Sequence, residues 1–130
     1  MPERAKILIV DDEEHFCRSL LKILAARNIS AFAVNRGEDA LEEIDRNPYD
    51  VVLLDVKMPG ISGIEVLKRM KEQGIKAEVI VLSGHASLDT AMEIVRYGAY
   101  DYLLKPCDTD ELLVKISNAY EQKMEKDKIS

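Results

Sequence analysis

Apolar residues fall into five short, nearly unbroken runs along the chain: KILIV (6–10), AFAV (31–34), DVVLL (50–54), EVIVL (78–82) and YDYLL (100–104). The Ile, Val and Leu content of the first, third and fourth leaves no polar face. That is the pattern of strands buried on both sides in a parallel sheet. Between the runs the period changes to that of a helix. EEHFCRSLLKILAARN places Phe16, Leu20, Ile23 and Leu24 on one stripe, with Arg18, Lys22 and Arg27 elsewhere. GEDALEEIDRNP turns Leu41 and Ile44 inward and stops at Asn47-Pro48, and GIEVLKRMKEQG does the same with Ile64, Leu67 and Met70. SLDTAMEIVRYG and DTDELLVKISNAYEQKMEK supply the fourth and fifth helices, with Ser87 and Asp108 suited to N-caps and Gly74 and Gly98 to C-terminal stops. This alternation predicts an α/β three-layer sandwich.

Length and charge narrow the class. At 130 residues the chain fits one domain, and 47% hydrophobic with 32% charged residues describes an ordinary globule. A net charge of −6, with no Lys/Arg cluster free of interleaved acids, argues against direct nucleic-acid binding. MPERAK is followed only by the apolar Ile7 to Val10, too short for a signal-peptide core or a membrane span, so a cytoplasmic protein with no membrane contact is expected. Cys17 and Cys107 form neither a disulfide framework nor a Cys-x-x-Cys pair and read as reduced thiols. Cys17 reads as helix packing, whereas Cys107 sits at a loop after Lys105-Pro106. No repeat, low-complexity tract or Gly/Ser/Pro linker is evident.

In open parallel sheets, ligands bind beyond the carboxyl ends of the strands, so the first polar residue after each run carries the most information. Strand one ends in Asp11-Asp12, strand three in Asp55, strand four in Ser83 and strand five in Lys105. With those strands adjacent, three carboxylates, a hydroxyl and an ammonium converge on one crevice. Carboxylates that share a site repel and raise a pKa unless a dense positive charge lies between them. Oxygen-only ligands at a partly open edge suit Mg²⁺, with Mn²⁺ as an alternative.

ILIVDDE, VLLDVKMPGISGIEVL, VIVLSGHAS and GAYDYLLKPCD, in that order and spacing, make nearly the whole chain resemble the receiver domains of bacterial two-component response regulators. The resemblance implies a five-stranded parallel sheet of order 2-1-3-4-5 flanked by five helices, an order that the pattern alone does not fix. It implies that Asp55 is the phosphoacceptor, taking a phosphoryl group from a sensor histidine kinase or a histidine phosphotransfer protein. Asp11, Asp12, Asp55 and the backbone carbonyl of Lys57 would bind Mg²⁺. Ser83 and Lys105 would contact the phosphoryl group, Ser83 and Tyr102 would form the switch, and a cis peptide would precede Pro106. Lys57 and His85 occupy positions that tune phosphoryl lifetime. The output would pass through the face of helix four, strand five and helix five to an effector domain or downstream protein, with homodimerisation on phosphorylation left open.

The receiver is expected over residues 1–123, and EQKMEKDKIS (121–130) reads as a solvated helix end or the start of a linker, with 124–130 as the tail. His15 reads as a bystander, Tyr97 and Tyr100 as packing, and KMPGISG as the turn before helix three. Cys107 replaces the aromatic residue common after Lys-Pro in the family. A Mg²⁺-dependent phosphohydrolase with an aspartyl nucleophile would need a second acid two residues after Asp55, where Lys57 stands. A flavin binder would need a phosphate-cradling loop where DDEEH stands. A phosphorylation-independent interaction scaffold is the remaining alternative. The expectation is a signalling switch that catalyses only its own phosphorylation and dephosphorylation, not a turnover enzyme.

Overall fold

The structure is a computed structural model that describes residues 5–84 and 88–129. Its order is β1 (Lys6–Val10), α1 (Glu14–Ala26), β2 (Ser30–Val34), α2 (Gly37–Arg46), β3 (Val51–Asp55), α3 (Gly63–Glu72), β4 (Glu78–Ser83), α4 (Leu88–Arg96), β5 (Asp101–Leu104) and α5 (Thr109–Ile129). All strand pairs are parallel and the sheet order is β2-β1-β3-β4-β5, which is the order implied by the family resemblance.

Side chains of a strand alternate between faces, so each buried run feeds two cores. Ile7, Ile9, Val51, Leu53, Ile80, Leu82 and Leu103 pack with α1 and α5. Leu8, Val10, Val52, Leu54, Val79 and Val81 pack with α2, α3 and Ile94 of α4. β3 and β4 are buried throughout, as their unbroken apolar runs require, whereas Phe32 on the edge strand β2 is exposed.

The helix stripes hold with adjustments. In α1 the residues against the sheet are Cys17, Leu20 and Leu24, and Phe16 and Ile23 are half-buried at the flank. In α3 they are Val66, Leu67 and Met70. Ser62 caps α3 by accepting from the Glu65 N–H at 3.2 Å, and the Asp108 carboxylate accepts from the Asp110 N–H at 2.8 Å at the start of α5. Gly74 and Gly98 follow the last turns of α3 and α4, where Ile75 and Ala99 donate back to the carbonyls of Met70 and Ile94. The proposed cap Ser87 lies outside the described residues.

One reading changes and another gains detail. Tyr100, expected in the packing, lies on the surface beside the end of α5, because its backbone N–H is taken by the Val79 carbonyl just before β5 begins. EQKMEKDKIS continues α5 without a break to Ile129, and it is tied to the body by Lys126 to Glu78 at 2.7 Å and Lys123 to Asp50 at 3.6 Å. Among the described residues, no helix is long and apolar enough to cross a membrane.

Candidate functional site

The carboxyl ends of β1, β3, β4 and β5 bring their terminal polar residues to one edge. Asp55 is the last residue of β3 and Ser83 the last of β4, while Asp11 and Lys105 follow directly on β1 and β5. Asp11, Asp55 and Ser83 are buried, and Asp12 faces solvent. One carboxylate oxygen from each of Asp11, Asp12 and Asp55 lies within 4.8 Å of the others. Hard oxygen donors gathered this closely, with one side open, have the chemistry of a divalent-cation site.

The charges are unevenly compensated. Burial pushes the Asp55 carboxyl up to about 6, and the Asp11 and Asp12 charges add to that shift, while the Lys105 ammonium and the Lys57 backbone N–H oppose it. Lys105 bridges to Asp11 and, at 3.1 Å, to Glu13. Its ammonium also lies 4.3 Å from the centroid of the Phe16 ring. Burial works against the charge on Lys105, but the hydrogen bond and charge of Asp11, with Glu13 and Asp55, hold it above its ordinary value. Lys105 thus acts on Asp55 through its charge while its hydrogen bonds go to Asp11 and Glu13.

Backbone contacts fix the frame. Asp11 Oδ1 accepts from the Glu13 N–H at 2.9 Å, and the Asp11 carbonyl accepts from Asn35 Nδ2 at 3.0 Å and from Cys17 Sγ at 3.4 Å. The Lys105 N–H donates to the Ser83 carbonyl at 2.9 Å, and the Lys105–Pro106 peptide is cis. Gly63 opens α3 so close to β3 that a Cβ there would lie 2.0 Å from the Asp55 carbonyl oxygen, which only glycine permits. Lys57 is exposed in the loop just beyond Asp55, and His85 lies outside the described residues. His15 is exposed on α1, away from these contacts.

Tyr102 packs against the core on the α4 side, and among the described residues its buried hydroxyl finds no hydrogen-bond partner. An orphaned buried hydroxyl costs about 1–3 kcal/mol. Met92 and Val95 of α4 and Leu104 of β5 are exposed apolar side chains, whereas the exposed Val114 of α5 lies beside Arg27 and Ile29. A cleft of about 460 Å³ between α1 and the start of α5 is walled by Phe16, Leu20, Lys105, Cys107 and Leu112.

The family model described as response regulator receiver domain matches residues 7–117. The chain belongs to the response regulator receiver domain family. Regulatory protein AtoC of Escherichia coli K12 is 38% identical over 123 residues, which are 94% of this chain and 27% of that protein. Transcriptional regulatory protein ZraR of Klebsiella oxytoca is 37% identical over 117 residues, 90% of this chain and 26% of that protein. The receiver domain thus spans about a quarter of the length of the curated relatives it matches. Among solved structures, the receiver domain of a LuxO repressor protein from Vibrio parahaemolyticus superposes with a TM-score of 0.93 at 28% identity, covering 98% of each chain. The receiver domain of Francisella response regulator 1452 gives 0.86 at 32% identity over 92% of this chain and 98% of that one.

Sequence reasoning missed Glu13, Phe16 and Asn35. Asn35 was in reach, because it is the first polar residue after β2, the one strand end left out of the strand-end argument. Glu13 and Phe16 carried no signal, since their role depends on how the Lys105 side chain runs back toward α1.

Proposed function

We propose that this receiver domain is a phosphorylation-activated switch whose acceptor is the Asp55 carboxylate. The donor is a phosphohistidine on a sensor histidine kinase or a histidine phosphotransfer protein. An Asp55 oxygen attacks phosphorus, the P–N bond breaks, and the imidazole leaves with the electron pair. Water later attacks the same phosphorus and releases inorganic phosphate and the Asp55 carboxylate. The domain therefore catalyses only its own loading and unloading.

The observation that carries this reading is the convergence of Asp11, Asp12 and Asp55 beside Lys105 at one sheet edge, in a chain matched to the receiver family over residues 7–117. Asp11, Asp12, Asp55 and the Lys57 backbone carbonyl would hold Mg²⁺ or, in its place, Mn²⁺. Bound there, the cation supplies charge neutralisation and alignment, which phosphoryl transfer chiefly needs. The chain's own residues do the rest. Lys105 exchanges part of its pairing with Asp11 for a phosphoryl oxygen, and the Ser83 hydroxyl turns to another. Lys57 and His85 set how easily water reaches the phosphorus.

Phosphorylation replaces one carboxylate charge with a dianionic group rich in acceptors. A shift from mostly inactive to mostly active needs roughly 5.5 kcal/mol of differential stabilisation, within reach of several charge-assisted hydrogen bonds acting together. Tyr102, its buried hydroxyl unpaired among the described residues, is the element that this shift moves together with Ser83. The exposed apolar Met92 and Val95 of α4 and Leu104 of β5 support the face of α4, β5 and α5 as the output surface, for an effector domain, a downstream protein or a second copy. Residues 1–123 are the receiver in this reading and 124–130 a C-terminal tail or the start of a linker, in a cytoplasmic protein that does not itself contact nucleic acid or membrane.

The test is intact-mass spectrometry after incubation with a small acyl phosphate, with and without Mg²⁺, beside Asp55→Asn. One Mg²⁺-dependent phosphoryl adduct that disappears in the variant is expected. Absence of any adduct in the wild type, with beryllofluoride binding also absent, would leave only a scaffold role.

A further inference from the structure

The loop from Val56 to Ser62 carries Lys57 past the acceptor, yet Lys57, Pro59, Gly60 and Ser62 are exposed, so little core burial holds it in place. Its far end is fastened by the Gly63 N–H, which donates to the Val56 carbonyl at 2.8 Å. Its middle meets the segment between β2 and α2. Gly60 has φ of +81° and turns its bare Cα toward Glu38, where a Cβ would lie 2.5 Å from Oε2 and 2.8 Å from Oε1. The Glu38 carboxylate is also held by Arg36 Nη2 at 3.1 Å, and its own backbone N–H, then Arg36 and, last, the Ile61 backbone N–H favour its ionised form. Next to it, Gly37 is buried against Ile61 and Val66, with room for no side chain: a Cβ would lie 2.6 Å from Ile61 Cγ1 and 2.7 Å from Val66 Cγ2.

The same short segment also touches the other half of the site. Asn35 Nδ2 donates to the Asp11 carbonyl at 3.0 Å, and the Asp11 N–H donates to the Val34 carbonyl at 3.1 Å. Residues 34–38 therefore grip the loop that presents Asp11 and Asp12 at one end and the loop that presents Lys57 at the other. The two loops come from different strands, β1 and β3, and residues 34–38 touch both.

We infer that Asn35 and Glu38 form a bracket that sets the distance between the acidic-pair loop and the acceptor loop, making them positioning residues for the divalent cation and hence for the phosphoryl group. This rests on the reading of Asp11, Asp12, Asp55 and the Lys57 carbonyl as the cation site. Neither side chain reaches the cation itself. Their effect is on where its ligands sit, and partners at one remove from a metal typically change its affinity by about 10–100-fold when lost.

The experiment measures Mg²⁺ affinity by calorimetry on the metal-free wild type, Asn35→Ala, Glu38→Ala and Glu38→Gln, with Asp39→Ala as a control for losing an exposed acid from the same helix turn. Exchange of the Ile61 amide is followed in the absence of metal, and phosphorylation by acetyl phosphate at limiting and saturating Mg²⁺. The bracket predicts Mg²⁺ dissociation constants about tenfold higher for Asn35→Ala and Glu38→Ala, at the low end of that range. Glu38→Gln, which keeps an acceptor for Ile61, should fall between, and Asp39→Ala should match wild type. Ile61 exchange should quicken in Glu38→Ala, and saturating Mg²⁺ should restore most of the phosphorylation rate. Unchanged Mg²⁺ affinity in Asn35→Ala and Glu38→Ala, whatever happens to their melting temperatures, overturns the proposal while leaving the site intact. A wild type that binds no Mg²⁺ overturns the site reading itself, and the two failures are told apart by that single titration.

Discussion

Asp55 is where the cost of this site is concentrated. Burial and the Asp11 charge lift its carboxyl from the ordinary 3.8 to about 6, so without a cation the ionised side chain opposes folding. The folded state then binds more protons than the unfolded chain between those two values, and stability falls as pH rises through that window. At about 1.36 kcal/mol per pH unit, the full penalty above pH 6 is of the order of 3 kcal/mol. Asp55→Asn should therefore raise the stability of the metal-free protein at neutral pH by about 2–3 kcal/mol and flatten its decline between pH 4 and 6, as read by urea denaturation. An unchanged profile would place the penalty elsewhere. The sequence made this carboxylate conspicuous, because it ends a run of four aliphatic residues, but it could not say which cation compensates it. The family resemblance gave Lys105 to the phosphoryl group; here its side chain turns back to Asp11, Glu13 and the Phe16 ring, while its charge still acts on Asp55. Strand ends are legible from sequence, but the path of a long flexible side chain beyond them is not.

α5 shows the same limit at the level of an element. Its helical course was readable to about residue 126, and Leu112, Leu113 and Ile116 face the sheet as their spacing requires, but the contacts that hold its last turns were not, because EQKMEKDKIS has no continuous apolar stripe. What holds those turns is mostly charge. Glu78, buried at the start of β4, takes its hydrogen bond from Lys126 at 2.7 Å, and Lys71 lies close enough to feel both. Lys123 reaches Asp50, just ahead of β3, and Met124 packs against the core. Removing one partner of a buried pair can cost 3–5 kcal/mol, but Lys126 is partly solvated, so about 1–2 kcal/mol is the expected cost of Lys126→Ala. A chain ended at residue 123 should lose at least as much, since it gives up Met124 as well. Denaturation midpoints of the two variants check this, and equal stability to wild type would mean that the last turns of α5 only rest on the body.

Across the whole molecule, the two-sided burial of the strands and the positions of their ends explain why the site could be assembled from sequence, given a family that supplies the strand order. Asp11, Asp55, Ser83 and Lys105 are each the first polar residue past an apolar run, with Asp12 directly after Asp11, and a parallel sheet must bring such residues to one edge. The parts that escaped, Asn35 and Glu38, act across loops whose mutual distance no periodicity encodes. The central claim is that the phosphoryl group sits on Asp55 and on neither neighbouring acid. Borohydride reduction of the protein after acetyl phosphate treatment, followed by peptide sequencing, tests it most directly, because an aspartyl phosphate is converted to homoserine where it stood. Homoserine at position 55 alone, and only when Mg²⁺ was present, is the predicted result, whereas homoserine at position 11 or 12, or none anywhere, would contradict it.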